Sequence, residues 1–215
     1  MNHVGVLGSG IVSEVLANGL LRHGFAVKRG SREPAKLNKW LSGAGERASV
    51  GTFDEAASGA DLIVLAVKGT AAESALELVN VNHLSGKIII DTTNPIADRA
   101  PVNGVLQFFT GPNDSLMERL QVKFPEAKFV KAFSCVGNGF MVNPDFGGAK
   151  PTMFICGNDT PAKERVVALL DSFGWDHEDM GTVEAARAIE PLCMLWCIPG
   201  LRSGSWTHAF KLLRK

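Results

Sequence analysis

The sequence predicts an α/β fold: a mostly parallel, Rossmann-like sheet covered by helices on both faces, with a small helical piece at the C-terminal end. Three observations predict it. Short apolar runs alternate with segments of helical period along most of the 215 residues. Two of those runs, DLIVLAV (61–67) and GKIIID (86–91), are apolar almost without interruption, the pattern of strands buried on both faces. Glycine, at 23 residues, suits a chain with many tight strand-to-helix turns.

The elements follow in order. VGVL (4–7) is a first strand that ends in Gly8-Ser9-Gly10. Val12, Val15, Leu16, Leu20 and Leu21 then recur at the period of a helix packed on a sheet, and Gly24 stops that helix. FAV (25–27) opens a second strand. Pro34 suits the first turn of a helix over 34–41, where its missing N–H costs nothing. A short strand at 49–52 and a short helix at 53–58 precede the strand DLIVLAV, and TAAESALELV (70–79) reads as its crossover helix. The strand GKIIIDTTNP ends at the Asn94-Pro95 turn, and residues 96–111 show no period. Next come a helix at 115–123, a strand KFVKAF (128–133), a strand TMFICGND (152–159) and a helix at 161–174 with Pro161 in its first turn and Gly174 past its end. WDHEDMG (175–181) reads as a polar edge strand or a loop. EAARAIEPLCMLWCIPG (184–200) is a helix apolar almost all round, which demands burial against this subunit or another. Pro191 is expected to kink or end it, and residues 204–215 read as one last short helix. The expected division is therefore a nucleotide-binding unit over 1–180 and a C-terminal segment over 181–215 that caps the cleft, forms a dimer interface, or both.

Composition narrows the function. A formal net charge of zero argues against nucleic-acid binding, which calls for a basic face or stripe. No run reaches the 18 apolar residues of a membrane span, and the start shows no basic segment followed by an apolar one. The four cysteines, Cys135, Cys156, Cys193 and Cys197, form no CxxC and have no histidine at ligand spacing. They read as small buried hydrophobes, with no metal expected and a reducing cytoplasm as the setting.

The chemistry is announced by Gly8-Ser9-Gly10-Ile11-Val12-Ser13, a GxGxxS text placed between a strand and a helix. Gly8 provides the tight turn, Gly10 lets a pyrophosphate approach the backbone, and Ser13 is small enough for close helix–strand packing. The amides at 10–13 would face the pyrophosphate. At the end of the second strand, KRGSREPAK (28–36) holds four basic residues and a single acid, Glu33. An acid there would hold a free 2′-hydroxyl, whereas an arginine accommodates a 2′-phosphate. Ser31 and Arg32, with Lys36 one turn further on, therefore predict NADP(H) rather than NAD.

Four stretches, GSGIVSEVLANGL (8–20), GSRE (30–33), FVKAFSCVG (129–137) and EAARAIEPLCMLW (184–196), resemble the NADP-dependent oxidoreductases that exchange hydride with a deazaflavin coenzyme. The chain is also similar to the cytoplasmic NADPH-binding domains of membrane metalloreductases. The resemblance covers nearly the whole chain and implies NADP(H), a deazaflavin or flavin co-substrate, and a homodimer. It assigns Ser9, Gly10, Ile11 and Val12 to the pyrophosphate, and Ser31, Arg32 and Lys36 to the 2′-phosphate. It assigns Ala66, Val67 and Lys68 to the path from adenosine to nicotinamide, and Asn94, Pro95, Ala132, Ser134, Cys135 and Val136 to the nicotinamide. Two departures stand out: Lys68 where proline is common, and SCVG after KAF where asparagine followed by threonine or isoleucine is frequent.

Hydride exchange between two cofactor rings requires stacking and exclusion of water, and no side chain is obliged to act as an acid. Reduction of a small carbonyl or imine would need a proton donor, for which Lys68, Lys131 or His208 would have to serve. His177 is a candidate by residue type alone. A non-enzymatic NADP sensor would keep Ser31 and Arg32 without needing an acceptor cleft. A small-molecule acceptor, with neither nucleic acid nor membrane as partner, is the expectation.

Overall fold

The structure, a computed structural model, describes residues 3–215; the first two residues of the opening stretch lie outside them. Six parallel strands make the main sheet: β1 (His3–Leu7), β2 (Ala26–Gly30), β3 (Ala48–Gly51), β4 (Leu62–Leu65), β5 (Ile88–Asp91) and β6 (Lys128–Lys131). Their order is β3-β2-β1-β4-β5-β6, so the direction of winding reverses between β1 and β4. Open sheets of this kind bind ligands at that reversal, beyond the carboxyl ends of the strands. A separate parallel pair, β7 (Thr152–Ile155) and β8 (Asp176–Asp179), adjoins β6 through one bridge between Lys131 and Cys156. WDHEDMG is thus a strand at its centre.

Eight α-helices connect the strands: α1 (Ile11–Arg22), α2 (Asn38–Ala44), α3 (Phe53–Ser58), α4 (Ala72–Glu77), α5 (Val81–Leu84), α6 (Leu116–Lys123), α7 (Thr160–Ser172) and α8 (Ala186–Ser203), counted among the described residues. Their starts follow from local chemistry. Thr52 and Glu55 form a reciprocal capping box on α3, Ser115 caps α6, and Asp159 caps α7. The helix read at 34–41 is a 3₁₀ turn (Pro34–Leu37) that passes into α2. The strands explain the uninterrupted apolar runs. Leu62 and Val64 of β4 face one core with Val4, Val6 and Leu16, while Ile63 and Leu65 face the other with Leu7, Leu76 and Leu120. Successive side chains point to opposite faces, and both faces are covered.

Two expectations at the C-terminal end are corrected. Helix α8 runs through Pro191 and Pro199, so Pro191 does not end it. An internal proline costs about 3 kcal/mol, but the buried stripe Ile189, Glu190, Cys193, Trp196 straddles Pro191, and its packing holds both sides in one helix. The opposite face of α8 is open, with Leu195 55% and Leu201 40% exposed. Residues 204–215 are not a helix. Gly204, with φ 73°, closes α8 in the left-handed conformation, and the tail after it has no regular secondary structure. The amide of Thr152 donates to the Phe210 carbonyl (2.8 Å), and ion pairs join Lys211 to Asp176 and Arg214 to Glu178. The open edge of the β7–β8 pair offers the tail backbone partners that a short helix would have lacked.

Candidate functional site

Two connected cavities lie along the carboxyl ends of β1, β2, β4 and β5, and both are lined by Gly10, Ala66, Val67 and Lys68. The smaller, about 290 Å³, reaches Gly8, Ser9, Ser31, Arg32 and Lys36. The larger, about 710 Å³, extends from Ile11 and Val12 past Thr92, Thr93 and Asn94 to residues 96–100. Most residues picked out in the sequence for the pyrophosphate, the 2′-phosphate and the adenosine path therefore line one continuous cleft.

The turn after β1 is shaped for a bound group. A Cβ on Gly8 would stand 2.2 Å from the Ala66 carbonyl oxygen, and its φ is +148°, so the two strand ends approach closely there only with glycine. A Cβ on Gly10 would meet nothing within 4 Å, because that side of the turn opens onto the cleft. No side chain caps the start of α1. Its first-turn amides are left for a ligand. Ser31 is buried, and its hydroxyl accepts from the Glu33 amide at 3.2 Å, leaving its own proton to donate. Arg32 is exposed and has no ion-pair partner among the described residues. Lys36 differs: its ammonium is 2.7 Å from the Glu33 carboxylate. A dinucleotide carrying a 2′-phosphate fits this donor set, with Ser31 and Arg32 as the ready contacts.

Not every basic residue of KRGSREPAK serves the cleft. Lys28 lines a small hollow on another part of the surface. Arg29 points inward, 1% exposed, with its guanidinium 4.8 Å from the Trp40 ring centroid. It donates to the Ser13 hydroxyl at 2.8 and 3.1 Å, and that hydroxyl donates to the Gly8 carbonyl at 2.6 Å. Ser13 is thus a tether as well as a small residue. Arg29 is two residues beyond buried Val27 and shares its face of β2.

The strand ends further along hold a second arrangement that the sequence reading did not find. Lys131 is fully buried, 2.7 Å from Asp91 and 2.8 Å from Glu190, and donates to the Thr93 carbonyl at 2.8 Å. Glu190 in turn accepts from the amides of Leu116 and Met117 at the start of α6, both at 3.0 Å. Asp91 also accepts from the Thr93 amide and hydroxyl. Burial by itself would lower the Lys131 pKa, but the two carboxylates outweigh it and hold the ammonium above the usual lysine range. Lys131 is therefore corrected from a candidate acid to a buried cation that positions Thr93. A lysine in FVKAF and a glutamate in an apolar helix were the available signals.

Of the remaining candidates, Asn94 and Lys68 line the cleft and the others lie back from it. Ala132, Ser134, Cys135 and Val136 are buried and line neither cavity, and Pro95 is also buried behind the surface. Asn94 links the layers by donating from Nδ2 to the Ser134 carbonyl at 2.8 Å. Burial pushes the Cys135 thiol up to about 12. His208 stacks on Trp196, and its Nε2 lies 2.8 Å from the Trp196 carbonyl. It lines neither cavity because the tail follows β7 and does not fold over the cleft. His177 pairs with Asp171 at 3.5 Å. Lys68 lines both cavities and meets Asp98 at 3.2 Å, with both side chains exposed.

Residues 3–95, which carry the phosphate turn and Ser31-Arg32, match the family described as NADP oxidoreductase, coenzyme F420-dependent. A crystal structure from Arthrobacter sp. FB24, provisionally named an F420-dependent NADP-reductase, is similar over 100% of both chains, with 32% identity and a TM-score of 0.91. The chain belongs to this family. Both matches are described as F420-dependent and as acting with NADP. The chain is also similar to metalloreductase STEAP3 of Rattus norvegicus, with 33% identity over 203 residues. That match takes in 92% of this chain but only 38% of the relative's length. An imine reductase from Streptomyces aurantiacus, 16% identical with a TM-score of 0.68 over 94% of this chain and 64% of its own, shares the fold. No helix among the described residues is long and apolar enough to cross a membrane. No group of three or more His, Cys, Asp or Glu among them could hold a metal ion.

Proposed function

We propose that this chain passes hydride between NADPH and a flavin-like ring, a deazaflavin or a flavin, held in the larger cavity. NADPH, when bound, supplies the hydride. The first turn of α1 would hold its pyrophosphate, Ser31 and Arg32 its 2′-phosphate, and Val67, Thr93 and Asn94 the nicotinamide end. The observation that carries this reading is the joining of the two cavities at Gly10 and residues 66–68. At about 710 Å³ the larger lies within the size range of sites that enclose a small organic molecule. Its ionisable lining groups are Lys68, Asp98 and Arg99, all exposed at its rim and two of them paired together. That lining favours direct ring-to-ring transfer over a reaction that needs a buried acid.

The test is single-turnover reaction with NADPH deuterated on the transferred face. With a deazaflavin acceptor, deuterium is expected on the ring carbon that receives the hydride, with a primary isotope effect. A flavin receives it on a ring nitrogen that exchanges with water, so there the isotope effect alone reports the transfer. His208→Ala is expected to keep its chemical rate within about 10-fold, since a general acid contributes ~100-fold or more. Absence of a primary isotope effect in the single turnover would contradict the transfer. Deuterium found on the carbon of a carbonyl or imine product, or a folded, NADPH-saturated His208→Ala protein without turnover, would replace this mechanism with a carbonyl- or imine-reducing one.

We read residues 1–180 as the nucleotide-binding unit and 181–215 as the segment that backs its cleft and forms a homodimer interface. The support is the open apolar side of α8 at Leu195 and Leu201. Sedimentation at micromolar concentration should give a dimer, and Leu195→Glu should shift it to a monomer. A monomeric parent protein removes the dimer from this account.

A further inference from the structure

The phosphate turn of this chain rests on a buried cation. The Ser13 hydroxyl, itself completely buried, bridges the Gly8 carbonyl and the Arg29 guanidinium. Nη2 of Arg29, one of the two nitrogens that donate to Ser13, also reaches the Gly10 carbonyl at 3.4 Å. Both glycines that shape the turn are therefore tied from inside to one side chain on the neighbouring strand. The only carboxylate near Arg29 among the described residues is Glu14, at 3.5 Å, whose side chain is 45% exposed while that of Arg29 is 1% exposed. Trp40 covers the guanidinium on another side, and Trp40 is itself fixed by a 2.7 Å hydrogen bond to Asn18 of α1.

The energetics make this arrangement unusual for packing alone. A buried arginine with one long, solvent-weakened ion pair is costly unless its charge is used. Burial does lower the Arg29 pKa, yet a guanidinium stays protonated at any working pH. The positive charge therefore sits permanently beneath the start of α1, where the helix already presents its positive end. A bound pyrophosphate would complete the compensation that Glu14 leaves unfinished.

We propose that Arg29, held by Ser13, is a positioning residue that sets the Gly8–Gly10 carbonyls and adds fixed positive charge under the pyrophosphate of the nucleotide. This rests on the reading of the cleft as an NADPH site. It assigns the basic run two separate tasks: Arg32 reads the 2′-phosphate from outside, and Arg29 supports the pyrophosphate from within.

The test compares two ligands, NADPH by calorimetry and adenosine 2′-phosphate, which lacks the pyrophosphate, by NMR titration. Arg29→Met is expected to weaken NADPH about 10- to 100-fold. Adenosine 2′-phosphate should bind it as it binds the parent protein, because Ser31 and Arg32 are untouched. Arg29→Lys, which keeps the charge, should recover part of the NADPH loss. Should Arg29→Met fail to fold, Ser13→Ala is expected to show the same split between ligands with a smaller loss. Unchanged NADPH affinity in a folded Arg29→Met protein, or in Ser13→Ala when that is the variant measured, would overturn the proposal. So would equal weakening of both ligands, the mark of general damage, or an Arg29→Lys protein no better than Arg29→Met. A parent protein that binds adenosine 2′-phosphate but not NADPH also defeats it, while one that binds neither defeats the NADPH reading itself.

Discussion

Replacing Arg32 with alanine is expected to cost about 10- to 100-fold in NADPH affinity and to leave NADH affinity unchanged. Three features of the smaller cavity set this size. Arg32 is exposed at its edge with no ion-pair partner among the described residues, so binding a phosphate breaks no existing contact. Ser31 is buried and aligned by the Glu33 amide, so little entropy is lost when its hydroxyl donates. Lys36 must give up Glu33 before it can contribute, and an exposed pair of this kind is worth little either way. Two charge-assisted hydrogen bonds at ~1.5 to 3 kcal/mol each would give the parent protein at least about 100-fold preference for NADPH over NADH. Fluorescence or calorimetric titration of both nucleotides measures it. Equal affinities for the parent protein, or an Arg32→Ala protein that binds NADPH normally, would contradict the assignment of the 2′-phosphate site.

Lys131→Met should be among the most destabilising single changes in the molecule, by about 3 to 5 kcal/mol. The loss does not come from the lysine's packing, since methionine has nearly the same length and is apolar. It comes from leaving Asp91 and Glu190 buried together with no cation between them. Glu190→Gln should cost much less. The single amide oxygen can still accept from one of the two α6 amides, and Asp91 still neutralises Lys131. Urea denaturation of the three proteins separates these cases, provided the slopes agree. If Lys131→Met and Glu190→Gln lose the same small amount, the buried charges are not coupled as their distances indicate. A folded Lys131→Met protein should also bind NADPH more weakly, because the Thr93 carbonyl loses its donor beside the cleft.

Much of the sheet was legible because its central strands are buried on both faces, which leaves short runs of consecutive apolar residues such as LIVLAV (62–67) and III (88–90). The glycine turn was legible because it answers to local geometry. What the sequence concealed depended on distant partners. Residues 204–215 have helix-like text, yet an open strand edge some sixty positions earlier captured them, as the Leu212 amide on Thr152 shows. Pro191 looked decisive by its intrinsic cost, but packing on both sides of it prevailed. KAFSCV follows a strand, and that placement does not reveal depth: Ala132 to Val136 fall one layer behind Asn94. Arg29 was hidden by its own neighbours. Amid four basic residues it looked like surface charge, and only the two-residue period of β2 separates it from Lys28.

The bond between Glu190 and the amides of residues 116 and 117 spans 74 and 73 positions of chain. During synthesis from the N-terminal end this has a consequence in time. A nascent chain that has already emerged through β6 contains Asp91 and Lys131, but neither the α6 amides nor Lys131 has yet met Glu190. At roughly 5 to 20 residues per second the wait lasts several seconds. Over that interval the strand ends that carry Thr93 and Asn94 are incompletely anchored. The Thr93–Asn94 end of the site is therefore completed after the phosphate turn, whose residues are made first, and a ribosome stalled before codon 190 should display a sheet that binds NADPH poorly.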